Sequence, residues 1–144
     1  MYVLQIRRIY AAAGPADGYR VLVDRLWPRG VRKDEAKLDG WARDIAPTAA
    51  LRKRFGHQAE RFAEFRESYR AELDANPAAR GFVRSCETLL ATRSITLLYA
   101  AKDENANNAA VLRAWICEQM ERDGHSGRKV QQDLPRGGTA ADVR

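Results

Sequence analysis

Short aliphatic runs alternate along this chain with longer segments of helical periodicity. Residues 2–9, Tyr2-Val3-Leu4-Gln5-Ile6-Arg7-Arg8-Ile9, form the first run, and the Gly- and Pro-punctuated stretch from Ala11 to Gly18 closes it. This pattern predicts a strand followed by a loop. Residues 19–26 carry β-branched and aliphatic side chains on both alternating faces, as a strand covered on both sides does. Trp27-Pro28-Arg29-Gly30 ends it, because Pro cannot donate to a ladder and Gly permits a sharp turn. Asp39 ahead of residues 40–45 predicts a short capped helix, and Thr48 caps another running to Phe55. From Gln58 to Ala75, Phe62, Phe65, Tyr69 and Leu73 recur at helical spacing until Asn76-Pro77 stops the segment. A further helix begins at Ala78, residues 94–101 are apolar and short enough for a buried strand, and residues 108–121 form the last helix around Leu112, Trp115 and Ile116.

The order strand, strand, helices, strand, helix predicts an α/β fold: a small, mainly parallel sheet flanked by helices in a Rossmann-like three-layer arrangement. One domain over residues 1–122 accounts for it. Residues 123–144 have no periodicity and read as a flexible C-terminal tail. Three evident strands make a narrow sheet, so either a short strand hides between them or the helices cover very little.

Composition adds two constraints. With 45% apolar and 31% charged residues among 144, a disordered chain is excluded. The net charge of +6 enters within residues 1–54, where twelve basic side chains face six acidic ones, while residues 55–144 are nearly balanced. An anionic partner is therefore expected to meet the first third of the chain. No stretch is long enough to cross a bilayer and the N-terminal run is too short for a signal segment, so a cytoplasmic protein with no membrane partner is expected. Cys86 and Cys117 lack metal-ligand or CxxC spacing and read as free, packed thiols. No cofactor is indicated.

In a parallel sheet, ligands bind beyond the carboxyl ends of the strands. Arg7 and Arg8 close the first strand, Asp24, Arg25 and Arg29 the second, and Lys102 and Asp103 the third. If the strands are parallel these groups converge. Arginine forks suit phosphate and carboxylate, and free N–H groups at the start of the last helix favour negative charge. The functional reading is a pocket for a small phosphate- or carboxylate-bearing ligand, enzymatic or not. In it Arg7, Arg25 and Arg29 hold the anion, Asp24 and Asp103 are candidate catalytic carboxylates, Asn107 supplies a polar contact, and Tyr69 is a further pocket member. The alternative for the same charges is a structural ion-pair cluster tying strand ends together. Asp24 and Asp103 could also share Mg²⁺, but the surrounding positive charge disfavours a metal there. A separate alternative is a nucleic-acid-associated module using the basic surface of residues 29–54, with Arg32, Lys33 and Arg52 to Arg54, although no nucleic-acid-binding motif accompanies it.

The string Val21-Leu22-Val23-Asp24-Arg25-Leu26-Trp27-Pro28-Arg29-Gly30 resembles the YeaO-like branch of the domain of unknown function 488 family. Ala46-Pro47-Thr48, Leu51 to His57, Phe65 to Leu73 and Thr96 to Asp103 extend the resemblance to about residue 120. It implies a small bacterial protein without implying a particular activity. Members of the longer branch carry a Cys on the third strand and a Cys-His-Arg before the last helix, features that suggest nucleic-acid or metal binding. The matching positions here are Tyr99, Asn107, Asn108 and Ala109, so neither thiol chemistry nor a thiolate metal site carries over. Asn107 matches the Asn usual in the YeaO-like branch.

Overall fold

The aliphatic runs form strands β1 (Leu4–Arg8), β2 (Tyr19–Leu22) and β4 (Ile95–Tyr99), and the chain adds a two-residue strand, β3 (Gly40–Trp41). The structure is a computed structural model and describes residues 2–125. Every pairing is parallel and the spatial order is β1-β4-β2-β3. Ile95 of the central strand lies opposite Leu4 on one side and Tyr19 on the other. All five β4 residues are buried, which is why that segment reads as an unbroken apolar run.

Five helices complete the fold: α1 (Lys33–Ala36), α2 (Ala49–Phe55), α3 (Phe62–Asp74), α4 (Pro77–Leu90) and α5 (Asn108–Met120). Thr48 caps α2 by accepting from the Leu51 N–H, and Asn76 and Asn107 do the same for α4 and α5. The main core packs Leu4, Val21, Val23, Ile95, Leu97 and Tyr99 against Phe65, Tyr69, Val83, Trp115 and Ile116. A smaller cluster of Ile9, Ala36 and Leu98, with Trp27, Val31 and Leu38 against it, covers the other face. The result is a three-layer α/β fold with one thick and one thin helical layer. Among the described residues no helix is long and apolar enough to cross a membrane.

The structure corrects the sequence reading in two places. The helix expected over residues 40–45 is strand β3 followed by a single 3-10 turn, Arg43–Ile45. Asp39 does not cap it. Its carboxylate accepts from the Arg20 N–H at 2.8 Å and its own N–H donates to the Arg20 carbonyl at 2.7 Å, which docks the segment on β2. The second strand ends at Leu22 instead of residue 26, with one further bond from the Val23 N–H to the Leu98 carbonyl. The expected tail over residues 123–144 lies outside the described residues from 126 onward; residues 121–125 form a wide helical turn ending α5.

Gly18 sets where β2 begins. Its φ of +64° and its closeness to β4, where a Cβ would sit 2.1 Å from the Ser94 carbonyl oxygen, both require glycine. Ser94 in turn accepts from the Tyr19 N–H at 2.8 Å.

Candidate anion-binding cleft

Because the strands are parallel, their carboxyl ends share one edge of the sheet. The loops that follow β1, β2 and β4 enclose a cleft of about 960 Å³ there, completed by α2 and the start of α5. Of the residues singled out from the sequence, Asp24, Arg25, Arg29, Asp103 and Asn107 line it, while Arg7 and Tyr69 do not.

Asp24 continues β2 with a side chain where the backbone ladder stops. Its Oδ2 accepts from the Ala100 N–H at 2.9 Å, and its Oδ1 accepts from Asn108 Nδ2 at 3.0 Å. The same Asn108 amide reaches the Val23 carbonyl at 3.0 Å, so one side chain ties the end of β2 to the first turn of α5. Burial raises the Asp24 pKa above the ordinary aspartate value; the bonds from Asn108 and Ala100, and more weakly Arg52 and His57, oppose the rise.

Arg25 is committed to backbone. Its Nε donates to the Pro47 carbonyl at 2.9 Å and an Nη to the Ala46 carbonyl at 3.1 Å. This completes an unusual run, since Asn76 donates to the Asp44 carbonyl and Tyr69 to that of Ile45. Four consecutive carbonyls leading into α2 are thus satisfied by side chains and not by a ladder. Tyr69 is fully buried beneath this linker, and burial raises its phenol pKa. It supports the cleft from below without lining it.

Arg7 belongs to the opposite face of the sheet. Alternation along β1 places Gln5 and Arg7 together, away from Leu4 and Ile6. Arg7 donates to the Ala12 carbonyl at 3.1 Å and lies 3.8 Å from the buried Asp17 carboxylate. Asp17 is paired chiefly with Arg20, a buried arginine that also donates to the Ala36 and Lys37 carbonyls and pins α1 to the sheet. The sequence reading missed this buried pair because Arg20 lies within an otherwise apolar strand. Arg8, on the Leu4 and Ile6 side of β1, donates to the Ala100 and Ala101 carbonyls.

At the start of α5, Asp103 Oδ1 accepts from the Asn105 and Ala106 N–H groups, which lower its pKa, and its carboxylate is exposed. Asn107 is buried, donates to the Asp103 carbonyl and accepts from the Ala110 N–H. Both side chains build the turn that opens the helix. Arg29 is exposed at the cleft mouth, and its carbonyl accepts from the Tyr10 hydroxyl at 2.8 Å.

Three further cations complete the lining: Arg52 and Lys53 from α2, outside the strand-end set, and Lys102 past the end of β4, where the sequence places it. Arg25, Arg29, Arg52, Lys53 and Lys102 face only two carboxylates, Asp24 and Asp103. Among the described residues, Arg29, Arg52, Lys53 and Lys102 form no ion pair. Arg32, by contrast, is exposed and pairs with Asp34 at 3.3 Å. Cys86 is buried, with its thiol pKa raised by burial, and neither cysteine lines the cleft. Among the described residues no group of three or more His, Cys, Asp or Glu side chains is placed to hold a metal ion.

Residues 3–133 match the family described as the inactive DUF488-N3 subclade. The chain belongs to this family. It is similar to the uncharacterized protein YeaO of Escherichia coli K12, with 42% identity over 113 residues, or 78% of this chain and 96% of that one. It is also similar to uncharacterized mycobacterial proteins, Rv3073c of Mycobacterium tuberculosis H37Rv and Mb3100c of Mycobacterium bovis. Each is 38% identical over 109 residues, covering 76% of this chain and 89% of the relative. No solved structure matches the chain.

Proposed function

We propose that this DUF488-N3 protein binds a small phosphate- or carboxylate-bearing anion in the strand-end cleft, and that it does so without catalysing a reaction. The observation that carries this reading is the excess of cations around the cleft, four of them with no ion pair among the described residues. Like charges gathered in one concavity repel one another, and a bound anion relieves that repulsion.

Both Asp24 oxygens and Asp103 Oδ1 accept hydrogen bonds that hold the walls of the cleft, so each carboxylate has a structural use that needs no chemistry. Asp24 and Asp103 act in this reading as positioning residues, with Arg29, Arg52, Lys53 and Lys102 as the ligand contacts. The description of the family as inactive supports the same choice. The nucleic-acid reading loses its main support because Arg52 and Lys53 line the cleft and Arg32 is paired with Asp34.

The test is titration of the isotope-labelled protein with inorganic phosphate, followed by amide NMR shifts. Saturable shifts confined to residues 24–29, 52–57 and 100–108, and weakening with added salt, are expected. Shifts that never saturate, or that scatter over the surface, overturn the proposal. Saturable binding of duplex DNA, shifting residues 29–54 without a response to phosphate, establishes the nucleic-acid surface instead.

A further inference from the structure

The cleft is much larger than one phosphate needs, and its lining is not charged throughout. At about 960 Å³ it falls in the range that takes a ligand with a sizeable body. Beside the cations it presents apolar surface that the fold does not use. Leu26 is 54% exposed and belongs to neither core cluster, and Tyr10 is 46% exposed. Both line the cleft.

Tyr10 is held ready. Its hydroxyl is fixed by the Arg29 carbonyl, and the Arg8 guanidinium lies 4.9 Å from its ring centroid. Trp27, also in the lining, is fixed by its indole N–H on the Val31 carbonyl at 2.7 Å. A large apolar side chain exposed inside a concavity, next to rings whose polar atoms are already bonded, costs little ordering when a ligand covers it. The cations from α2, Arg52 and Lys53, approach from another wall, with Arg52 and His57 close enough to Asp24 to influence its ionisation. The α2 cations and the apolar residues Tyr10 and Leu26 thus enter the cleft from different elements.

We infer that the ligand is an aryl phosphate, a planar aromatic body carrying a phosphate, with its ring against Tyr10 and Leu26 and its phosphate among Arg52, Lys53 and Lys102. This rests on the anion reading above and specifies its ligand. Several unpaired cations suit a phosphate, which carries close to two negative charges at neutral pH, better than a singly charged carboxylate. The aromatic body accounts for the exposed apolar surface of Leu26 and Tyr10.

The experiment compares affinities for phenyl phosphate, inorganic phosphate and benzoate by calorimetry at one salt concentration. Phenyl phosphate is expected to bind at least about tenfold more tightly than inorganic phosphate, in line with burial of one ring, and benzoate more weakly than phenyl phosphate. In Leu26→Ser, whose native side chain has no core role, the phenyl-to-inorganic ratio falls toward one. Tyr10→Ala lowers it too, while Tyr2→Ala, at an exposed aromatic outside the cleft, leaves it unchanged. If inorganic phosphate binds and phenyl phosphate gains nothing, or if Leu26→Ser keeps the full ratio, the aryl assignment fails and the anion site stands. If benzoate equals phenyl phosphate, the phosphate assignment fails. If none of the three probes binds, the anion reading itself falls.

Discussion

Asn108 and Asp24, 84 residues apart in sequence, are joined by a 3.0 Å hydrogen bond from the Asn108 side-chain amide to the Asp24 carboxylate. That bond connects the end of a central strand to the first turn of the last helix, across the floor of the cleft. The amide also holds the Val23 carbonyl, so the chain closes the cleft from beneath with one polar side chain. The cations of the cleft are thus arranged around a floor whose own carboxylate is already hydrogen-bonded.

Removing this tie has two readouts. Asn108→Ala is expected to lower unfolding stability by about 1–2 kcal/mol, the cost of leaving a partly buried carboxylate oxygen and a carbonyl without their donor. The Asn108 bond opposes the upward shift of the Asp24 pKa, so its loss raises that pKa further. Urea denaturation measures the first effect and an NMR titration of the Asp24 carboxyl the second. A variant with an unchanged Asp24 titration shows that the bond does not govern the charge on the floor.

The raised Asp24 pKa also fixes the sign of a pH dependence. In the unfolded chain the group ionises near its ordinary value of 3.8, and in the fold it ionises higher. Between these two values the native state holds the extra proton. The Asp24 contribution to stability is therefore fully present below 3.8 and is lost as pH rises through the folded value. Asp24→Asn lacks this titration. The stability of the native protein minus that of the variant, from urea midpoints without added anions, should shrink with rising pH and then level off. Asp103 has a lowered pKa and acts in the opposite sense, but it is common to both proteins and cancels. A difference that grows with pH contradicts the assignment.

Tyr69 provides a test of the linker. Its buried hydroxyl donates to the Ile45 carbonyl at 2.8 Å, one of the four carbonyls held by side chains ahead of α2. Tyr69→Phe keeps the ring and orphans that carbonyl, and a loss of about 1–2 kcal/mol is expected in thermal or urea unfolding. Since the ring packs in the main core, Tyr69→Ala should cost more, about 3–5 kcal/mol. Equal stability of the native protein and Tyr69→Phe would mean that Arg25 and Asn76 hold the linker without the Tyr69 bond.

Much of this arrangement was legible in the chain, for identifiable reasons. A parallel sheet follows from two buried aliphatic runs separated by helices, and once the strands are parallel the charges at their ends must share an edge; Asp24, Arg25, Arg29 and Asp103 do. What escaped depends on contacts that no local pattern encodes. Strand β3 is two residues long, too short for alternation to register, and Asp39 looks like a helix cap until its pairing with Arg20 is seen. Arg7 was grouped with the strand ends because it is terminal in sequence, although its parity with Gln5 turns it to the other face. Tyr69 carries a pocket-like residue type but spends its hydroxyl on the linker. Arg52 and Lys53 read as a basic surface because nothing in a helical run reveals which face the preceding linker will turn toward the strand ends.

Two arginines of the cleft should behave differently, which separates what builds the site from what binds in it. Arg25 spends two donors on the Ala46 and Pro47 carbonyls, whereas Arg52 forms no ion pair among the described residues. Arg25→Ala is expected to cost about 1–3 kcal/mol of unfolding stability, because a charged donor is lost from two carbonyls that sit in a buried linker. Arg52→Ala should stay within about 0.5 kcal/mol of the native protein, as substitutions of partly exposed side chains without special contacts do. Its effect belongs to binding: affinity for inorganic phosphate should fall several-fold, and the decline of affinity with added salt should become shallower because one cation fewer is screened. Both variants can be followed by urea unfolding and by phosphate titration at two salt concentrations. If Arg52→Ala destabilises the fold and leaves phosphate affinity intact, the α2 cations are structural and the cleft has another use; if Arg25→Ala is neutral, the linker does not depend on the strand-end arginine for its shape.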